Sequence, residues 1–309
     1  YLMKYNILIT DILIKDFVNH YKNNFNVDCL WKLGRKIDFS KYQGIVVTGG
    51  FKTDKKFLKK FINLKIVSVF GVGYDGVDLN YCKNNKIVIT NTPKVLTDDV
   101  ADLALGLMIT LSRKINEAHN FILKKKWNIK PFDLTTSLTN KTVGIVGMGE
   151  IGKAFSKRVK SLSMKILYYG PNKKNINYKY YKDLKDMASL IDIMVITCIG
   201  GSETKHLINK SVLRLMKPSS IIVNVARGSV INEIHLLDVL KKKLIAGAAL
   251  DVFEMEPKIN SKFLKLNNVL LSPHNGSATF DTRDNMARIS SQNISNYLIS
   301  NNLKNQVKY

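Results

Sequence analysis

At 309 residues the chain is long for one domain and comfortable for two, each large enough to bury a core, and its 45% apolar content is ordinary for a soluble protein. The opening residues do not read as a charged-then-apolar leader, the longest apolar run (Leu103 to Leu111) is too short to span a bilayer, and Cys29, Cys82 and Cys198 lack disulfide-framework or metal-ligand spacing, which argues against secreted, membrane and zinc classes. The formal net charge of +24 would attract nucleic acid, but lysine is spread along the whole chain without aromatic interleaving or a reading motif, so no specific nucleic-acid partner, no membrane association and no metal are expected, in a cytoplasmic protein.

In chain order, Tyr5 to Ile9, Gly44 to Val47, Lys65 to Phe70 and Ile87 to Thr90 read as strands, with helical patterns over Ile12 to Tyr21 and Asp54 to Ile62. Such alternation predicts a parallel sheet with helices on its faces. Pro93, in the loop Asn91-Thr92-Pro93, interrupts regular structure and closes this first unit. Asp98 to Ala118 then reads as one long helix, with Ala101, Leu103, Ala104, Leu107 and Met108 on its apolar side, and is expected to cross into a second domain.

The second domain is organised around Thr142 to Lys153, TVGIVGMGEIGK. Thr142 to Val146 is short, apolar and β-branched, as a buried strand is, and runs into Gly147-Met148-Gly149-Glu150-Ile151-Gly152 just where a helical pattern begins. The three glycines differ in what they permit. Gly147 turns the chain off the strand, Gly149 omits a side chain that would block a pyrophosphate, and Gly152 lets the helix lie close to the sheet. The N–H groups at the helix start then face the phosphates, so a dinucleotide site is expected here. Further strands at Lys165 to Tyr169, Ile193 to Thr197, Ser220 to Val225, Ala246 to Leu250 and Val269 to Leu271, with helices at Leu184 to Leu190, Ser211 to Met216 and Glu233 to Lys241, make a doubly wound sheet. A last helix, Arg283 to Leu298, is long enough to return to the first domain. The expected division is 1–95 plus 284–309 for a substrate domain and 96–283 for a dinucleotide-binding domain, with a cleft between them.

Three segments place chemistry at strand ends. Arg227, in Ala226-Arg227-Gly228, offers a guanidinium that can grip a carboxylate and polarise an adjacent carbonyl. Asp251, Glu254 and Glu256 follow the next strand, and His274 follows the one after. A carboxylate beside an imidazole favours its protonated form and fixes its tautomer, giving an acid/base pair. Reduction of a 2-oxo acid needs a cationic clamp, a proton donor and a nicotinamide held against the carbonyl carbon, and Arg227, His274 and the Gly147 loop supply those parts. A serine hydrolase is disfavoured, since no GxSxG elbow exists and Ser272 precedes a proline.

With these residues in view, the chain resembles the D-isomer-specific 2-hydroxyacid dehydrogenase family over nearly its whole length. The matching segments are Gly71 to Asp78, Asn91 to Asp102, the glycine motif, Ala226 to Gly228, Ala249 to Pro257 and Ser272 to Thr279. The resemblance implies two doubly wound α/β domains, a Rossmann-type cofactor domain and a flavodoxin-like substrate domain. It further implies that Arg227 binds the substrate carboxylate and carbonyl, that His274 exchanges the proton and that Glu256 pairs with His274. Backbone N–H groups around Val72 and Gly73 would receive the carboxylate, Asp251 would sit near the nicotinamide, and Thr97 and Ala226 would lie near the cofactor with Met148, Glu150 and Ile151 of the glycine loop. Within the family, Val95 to Leu107 is most similar to the glyoxylate, hydroxypyruvate and hydroxyphenylpyruvate reductases, and the chain ends soon after the last helix, leaving no room for the regulatory domain of some phosphoglycerate dehydrogenases. Residues 101–131 are where family members dimerise, so a homodimer is expected.

Cofactor choice has a physical reading. An NAD enzyme of this fold places an acid at the end of the second strand for the ribose 2′-OH. Here Gly170 stands in that place, followed by Pro171, Asn172, Lys173 and Lys174, so no carboxylate repels a 2′-phosphate and two lysines attract one. NADPH is therefore expected to be preferred, with NADH also possible. Pro171, where NADPH-using relatives have an arginine, leaves a mixed preference open. The alternatives are a cofactor-sensing scaffold like the corepressors of this family, which would consume little cofactor, and an NAD-linked D-2-hydroxyacid or phosphoglycerate dehydrogenase.

Overall fold

Short apolar runs bounded by turn residues become parallel strands covered on both faces. The computed structural model describes residues 4–308 and divides into two compact units, one formed by the chain up to Leu96 with the residues from Ala278 onward, the other by Thr97–Ser277. In the first, β1 (Asn6–Ile9), β2 (Asn26–Cys29), β3 (Gly44–Thr48), β4 (Ile66–Phe70) and β5 (Val88–Thr90) form a parallel sheet in the order β2-β1-β3-β4-β5. That is the flavodoxin-type winding. Alternate side chains feed two cores: Ile7, Ile9, Val46 and Ile66 pack with Ile14 and Phe17, while Leu8, Ile45, Val47 and Val67 pack with Tyr42, Leu58 and Cys82.

Two local expectations change in this unit, and one strand joins it that was not expected. The helix read over Ile12 to Tyr21 is a 3-10 turn, Ile12–Phe17, followed by a single α-turn, Asn19–Lys22; Asp11 accepts the Leu13 N–H at 3.0 Å and tightens the start. The helix read over Asp54 to Ile62 is shorter, Lys55–Leu58, and Asp54 is its cap, accepting the Phe57 N–H at 2.9 Å. β2 is an edge strand of mixed polarity, Asn-Val-Asp-Cys, with no apolar run to announce it.

The second unit opens with α1 (Thr97–Arg113), then α2 (Ile115–Leu123), β6 (Thr142–Val146), α3 (Glu150–Lys160), β7 (Lys165–Tyr169), β8 (Lys179–Tyr181), β9 (Ile193–Ile196), β10 (Ile221–Asn224), α4 (Glu233–Lys241), β11 (Gly247–Leu250) and β12 (Val269–Leu271). Its seven-stranded parallel sheet runs β12-β11-β10-β9-β6-β7-β8, so the winding reverses between β6 and β9, beside the glycine loop. In doubly wound sheets that reversal is where ligands bind. The single helix read over Asp98 to Ala118 is broken at Lys114, which takes a left-handed conformation (φ 49°). α1 buries Val100, Ala101, Ala104, Leu107 and Met108, whereas α2 buries nothing, so no shared apolar face forces one straight rod. Arg158 of α3 reaches α1, donating to Asp102 at 2.6 Å and to Asp98 at 3.1 Å.

The chain returns to the first sheet as α5 (Phe280–Leu298), capped by Thr279 through the Thr282 N–H at 3.2 Å. Met286, Ala287 and Ile294 complete a first-unit core, and Ser290 Oγ lies 2.9 Å from Ser68 Oγ on β4. The division between the units therefore falls before this helix, whereas the boundary expected at 284 lies inside it. All three cysteines are free; burial pushes the Cys82 thiol up to about 12 and Cys198 up to about 11.

Candidate active site

Gly147 leaves β6 in a left-handed conformation (φ 99°), and a Cβ there would lie 2.5 Å from Cys198 Cα. Gly152 is equally constrained, since its Cβ would meet the Gly147 carbonyl oxygen at 2.3 Å. A Cβ on Gly149 would meet nothing within 4 Å. Gly149 is the residue preceding α3 and gives that helix no side-chain cap. The first N–H groups of α3 thus have no capping side chain, at the positive end of the helix dipole, the form of an anion cradle. Met148 is buried, and Glu150 and Ile151 begin the helix; Glu150 pairs with Lys153 at 3.3 Å. Thr197 Oγ1 donates to the Gly147 carbonyl at 2.7 Å and so pins the turn from the next strand.

At the end of β7, Gly170 is buried and a Cβ there would meet nothing within 4 Å. Asn172, Lys173 and Lys174 follow and are exposed. Their course is set by two tyrosines: the fully buried Tyr168 accepts the Lys174 N–H on its hydroxyl at 2.8 Å, and Tyr180 donates to the Gly170 carbonyl at 3.0 Å. Neither lysine forms an ion pair among the described residues, so both cations are available to an anion.

Arg227 sits on a turn after β10 that Asn224 shapes. The Asn224 side chain, 1% exposed, accepts the Ala226 N–H at 3.0 Å and donates to the Arg227 carbonyl at 3.0 Å. Arg227 Nη1 donates to the Ala226 carbonyl at 2.8 Å. Gly228 is required for a backbone approach: a Cβ would lie 1.9 Å from the Phe253 carbonyl carbon, so this glycine permits a close contact with the neighbouring turn.

That neighbouring turn carries Asp251 and Glu256. Asp251, 1% exposed, accepts from Ser272 Oγ at 2.6 Å, from the Asn275 N–H at 2.7 Å and from the Gly276 N–H at 2.9 Å, and its carbonyl accepts the His274 N–H at 2.8 Å. Both carboxylate oxygens are thus engaged in holding the loop that presents His274. His274 is itself left-handed (φ 54°), a conformation that a non-glycine residue keeps only when its surroundings over-determine it. Its Nδ1 lies 2.6 Å from Glu256 Oε2, and Glu256 Oε1 accepts the Phe253 N–H at 2.8 Å. Burial, the largest single influence on the Glu256 carboxyl, works to raise its pKa; the His274 hydrogen bond and charge, the Phe253 N–H and the Arg227 charge outweigh it and hold the group below its ordinary value.

Comparison with known proteins gives this arrangement a context. Residues 105–276 match the family described as D-isomer specific 2-hydroxyacid dehydrogenase, NAD binding domain. Glyoxylate/hydroxypyruvate reductase A of Arabidopsis thaliana is 38% identical over 275 residues, covering 87% of this chain and 88% of that protein. The chain belongs to the D-isomer specific 2-hydroxyacid dehydrogenase family. Glyoxylate reductase of Pyrococcus furiosus is 35% identical, covering 94% of this chain and 92% of its own length. Among solved structures, the NADPH-dependent glyoxylate/hydroxypyruvate reductase of Sinorhizobium meliloti, in complex with NADP and malonate, superposes with a TM-score of 0.91 at 31% identity, covering 99% of this chain and 97% of that one.

For a 2-hydroxyacid dehydrogenase, the second unit alone brings Arg227, Glu256, His274 and Asp251 onto three successive strand-end turns. Thr97 is the first residue of α1 in the same unit, and Ala226 is buried beside Arg227. Val72 and Gly73 belong to the first unit, in the loop after β4, where Asn91 Nδ2 donates to the Val72 carbonyl at 2.9 Å. Sequence reasoning misses Thr197, Asn224, Tyr168 and Tyr180, whose side chains act by bonding the backbone of the turns around the site. A polar residue at the end of an otherwise apolar strand is the one signal available for Thr197 and Asn224. Among the described residues no cluster of three or more His, Cys, Asp or Glu side chains is placed to hold a metal ion, and no helix is long and apolar enough to cross a membrane.

Proposed function

We propose that this chain reduces a small 2-oxo acid of the glyoxylate or hydroxypyruvate kind to the D-2-hydroxy acid, in the cytoplasm, with NADPH preferred over NADH. The observation that carries the reading is the His274–Glu256 pair at 2.6 Å, on strand-end turns next to that of Arg227 in a unit that also holds the glycine loop. The residues fit a dinucleotide: the space in front of Gly149 is open, and α3 starts without a side-chain cap. A bound reduced nicotinamide supplies the hydride.

The chain's own residues do the rest. Arg227 grips the substrate carboxylate and polarises the ketone, since a fixed guanidinium suits two adjacent oxygens. Glu256 accepts from His274 Nδ1, which leaves Nε2 to carry the proton. As the carbonyl carbon gains hydride, the C=O π pair moves onto oxygen and takes that proton from Nε2. Glu256 remains ionised and stabilises the imidazolium before transfer. Asp251 enters as the group that holds the His274 loop beside the cofactor, and Thr97, Ala226 and the loop 147–152 as its binding surface.

NADPH preference is supported by the missing carboxylate at Gly170 and by Lys173 and Lys174 with no ion partner among the described residues. It is also supported by the description of the Sinorhizobium relative as NADPH-dependent. A homodimer is supported by the exposed apolar side chains Ile122, Leu123, Trp127, Ile129 and Leu134, clustered within thirteen residues of sequence from 122 to 134. A panel of 2-oxo acids assayed with each reduced cofactor tests the whole reading. Rapid oxidation of NADPH with glyoxylate or hydroxypyruvate is expected, and failure to consume cofactor with any acid would favour a sensing scaffold instead.

A further inference from the structure

A second imidazole–carboxylate pair lies in the same unit and has no place in the chemistry above. His206, between β9 and β10, points Nε2 at Glu254 Oε1, 2.6 Å away. Its backbone N–H donates to the Ser229 carbonyl at 2.8 Å, two residues beyond Arg227. One residue therefore bonds both turns: the Arg227 turn through its main chain, and the turn carrying Glu256 through its ring. The surrounding ties converge on the same junction. Ile208 N–H donates to the Val230 carbonyl at 3.0 Å, Glu254 N–H donates to Glu233 Oε1 at 2.8 Å, and Gly228 lies against the Phe253–Glu254 peptide too closely for any side chain. His206 also holds a left-handed backbone (φ 52°), the conformation that a non-glycine residue keeps when several partners demand it.

We propose that His206 is a positioning residue, which staples the Arg227 turn to the Glu256 turn and thereby keeps Glu256 aligned on His274. Asn232 Nδ2 lies 3.4 Å from His206 Nδ1. Donation from that amide makes Nδ1 the acceptor and directs the Nε2 N–H to Glu254. The charged groups around it are Glu254 on the ring, Glu233 beside Glu254, and His274 and Arg227 on Glu256. Loosening the turn weakens the Phe253 N–H bond to Glu256 and the bond to His274, both of which hold the Glu256 carboxyl down. Glu256 then takes up its proton at higher pH.

The inference rests on the reductase reading, and its test separates the two. In His206→Ala, kcat with glyoxylate and NADPH is expected to fall about tenfold, as small misplacements of reacting groups do. The acid limb of the rate profile should move up by about half a pH unit, while the cofactor Kd stays within about twofold because the glycine loop is untouched. His206→Gln, whose amide N–H reaches towards Glu254, should recover much of the rate. A parent-like kcat and acid limb in His206→Ala would overturn the staple. The Glu256 carboxyl is also followed directly by carbon NMR, its resonance identified by its loss in Glu256→Gln. A higher midpoint in His206→Ala supports the staple and an unchanged one overturns it, even if the parent reduces no 2-oxo acid and the reductase reading itself fails. Should His206→Ala not fold, Glu254→Ala removes the same bond from the other side and is read by the same measurements.

Discussion

His274 presents Nδ1 to Glu256 Oε2 at 2.6 Å, while the other oxygen of Glu256 accepts the Phe253 N–H at 2.8 Å. The carboxylate that orients the imidazole is thus anchored in its own turn, and the imidazole is anchored by Asp251 through the His274 N–H at 2.8 Å. Neither partner relies on the other alone for its place.

This anchoring sets the behaviour in acid. The Glu256 carboxyl is held below its ordinary value, so it contributes to stability and to His274 alignment above the ordinary carboxylate range, and that contribution is lost as pH falls through the depressed folded value. Reductase activity is therefore expected to persist to pH values below the ordinary glutamate range before falling. Glu256→Gln should abolish that acid limb and lower kcat by about a hundredfold, the scale of a misplaced general acid. A rate profile for the variant that keeps the parent's acid limb would assign the titration to another group.

The glycine loop gives a prediction in which fold and binding separate. A Cβ at Gly149 meets nothing, so Gly149→Ala should melt like the parent yet bind NADPH about tenfold more weakly, because the methyl group occupies the space reserved for phosphate. Gly152→Ala puts its Cβ 2.3 Å from the Gly147 carbonyl oxygen and should cost about 1–3 kcal/mol of stability through overpacking. Thermal melts with and without cofactor distinguish the two, and equal melting of both variants would contradict the reading.

What was legible in the chain and what was hidden follow one division. The strand-end placement of the glycine loop, Arg227 and His274 was legible because the signals for it are local. A glycine is needed where a Cβ has no room, and a chemical side chain at a strand end faces a ligand. Both sheets were legible from apolar runs, apart from the edge strands β2 and β8, whose Asn-Val-Asp-Cys and Lys-Tyr-Tyr carry no such run. Lys114 gave no sign of ending a helix, since the break arises where α1 loses the core that α2 never had. Asn224, Tyr168, Thr197 and His206 were hidden for a different reason. Each is defined by a partner brought to it only by the fold.

Cofactor preference is expected to turn on Gly170. Space exists for a side chain there, so Gly170→Asp should fold normally and present a carboxylate that bonds a ribose 2′-OH and repels a 2′-phosphate. The ratio of kcat/KM for NADPH over NADH should fall by about tenfold or more. An unchanged ratio would show that contacts other than the end of β7 decide the preference.

Assembly is expected to depend on the apolar side chains after α2. Trp127 is 68% exposed and Ile129 83%, in the short segment that follows α2. Replacing both by Glu should convert a dimer to a monomer in light scattering while leaving the melt of each domain intact. A parent that scatters as a monomer would remove the basis for this assignment.

His274 is proposed to donate the proton to the reduced carbonyl. The most direct test is cofactor oxidation with glyoxylate by the parent and by His274→Ala, with NADPH binding measured on both by fluorescence. Turnover in the variant is expected to be at least about a thousandfold slower, within the range for removing a general acid, at an unchanged NADPH Kd. Turnover near the parent rate in His274→Ala would contradict it.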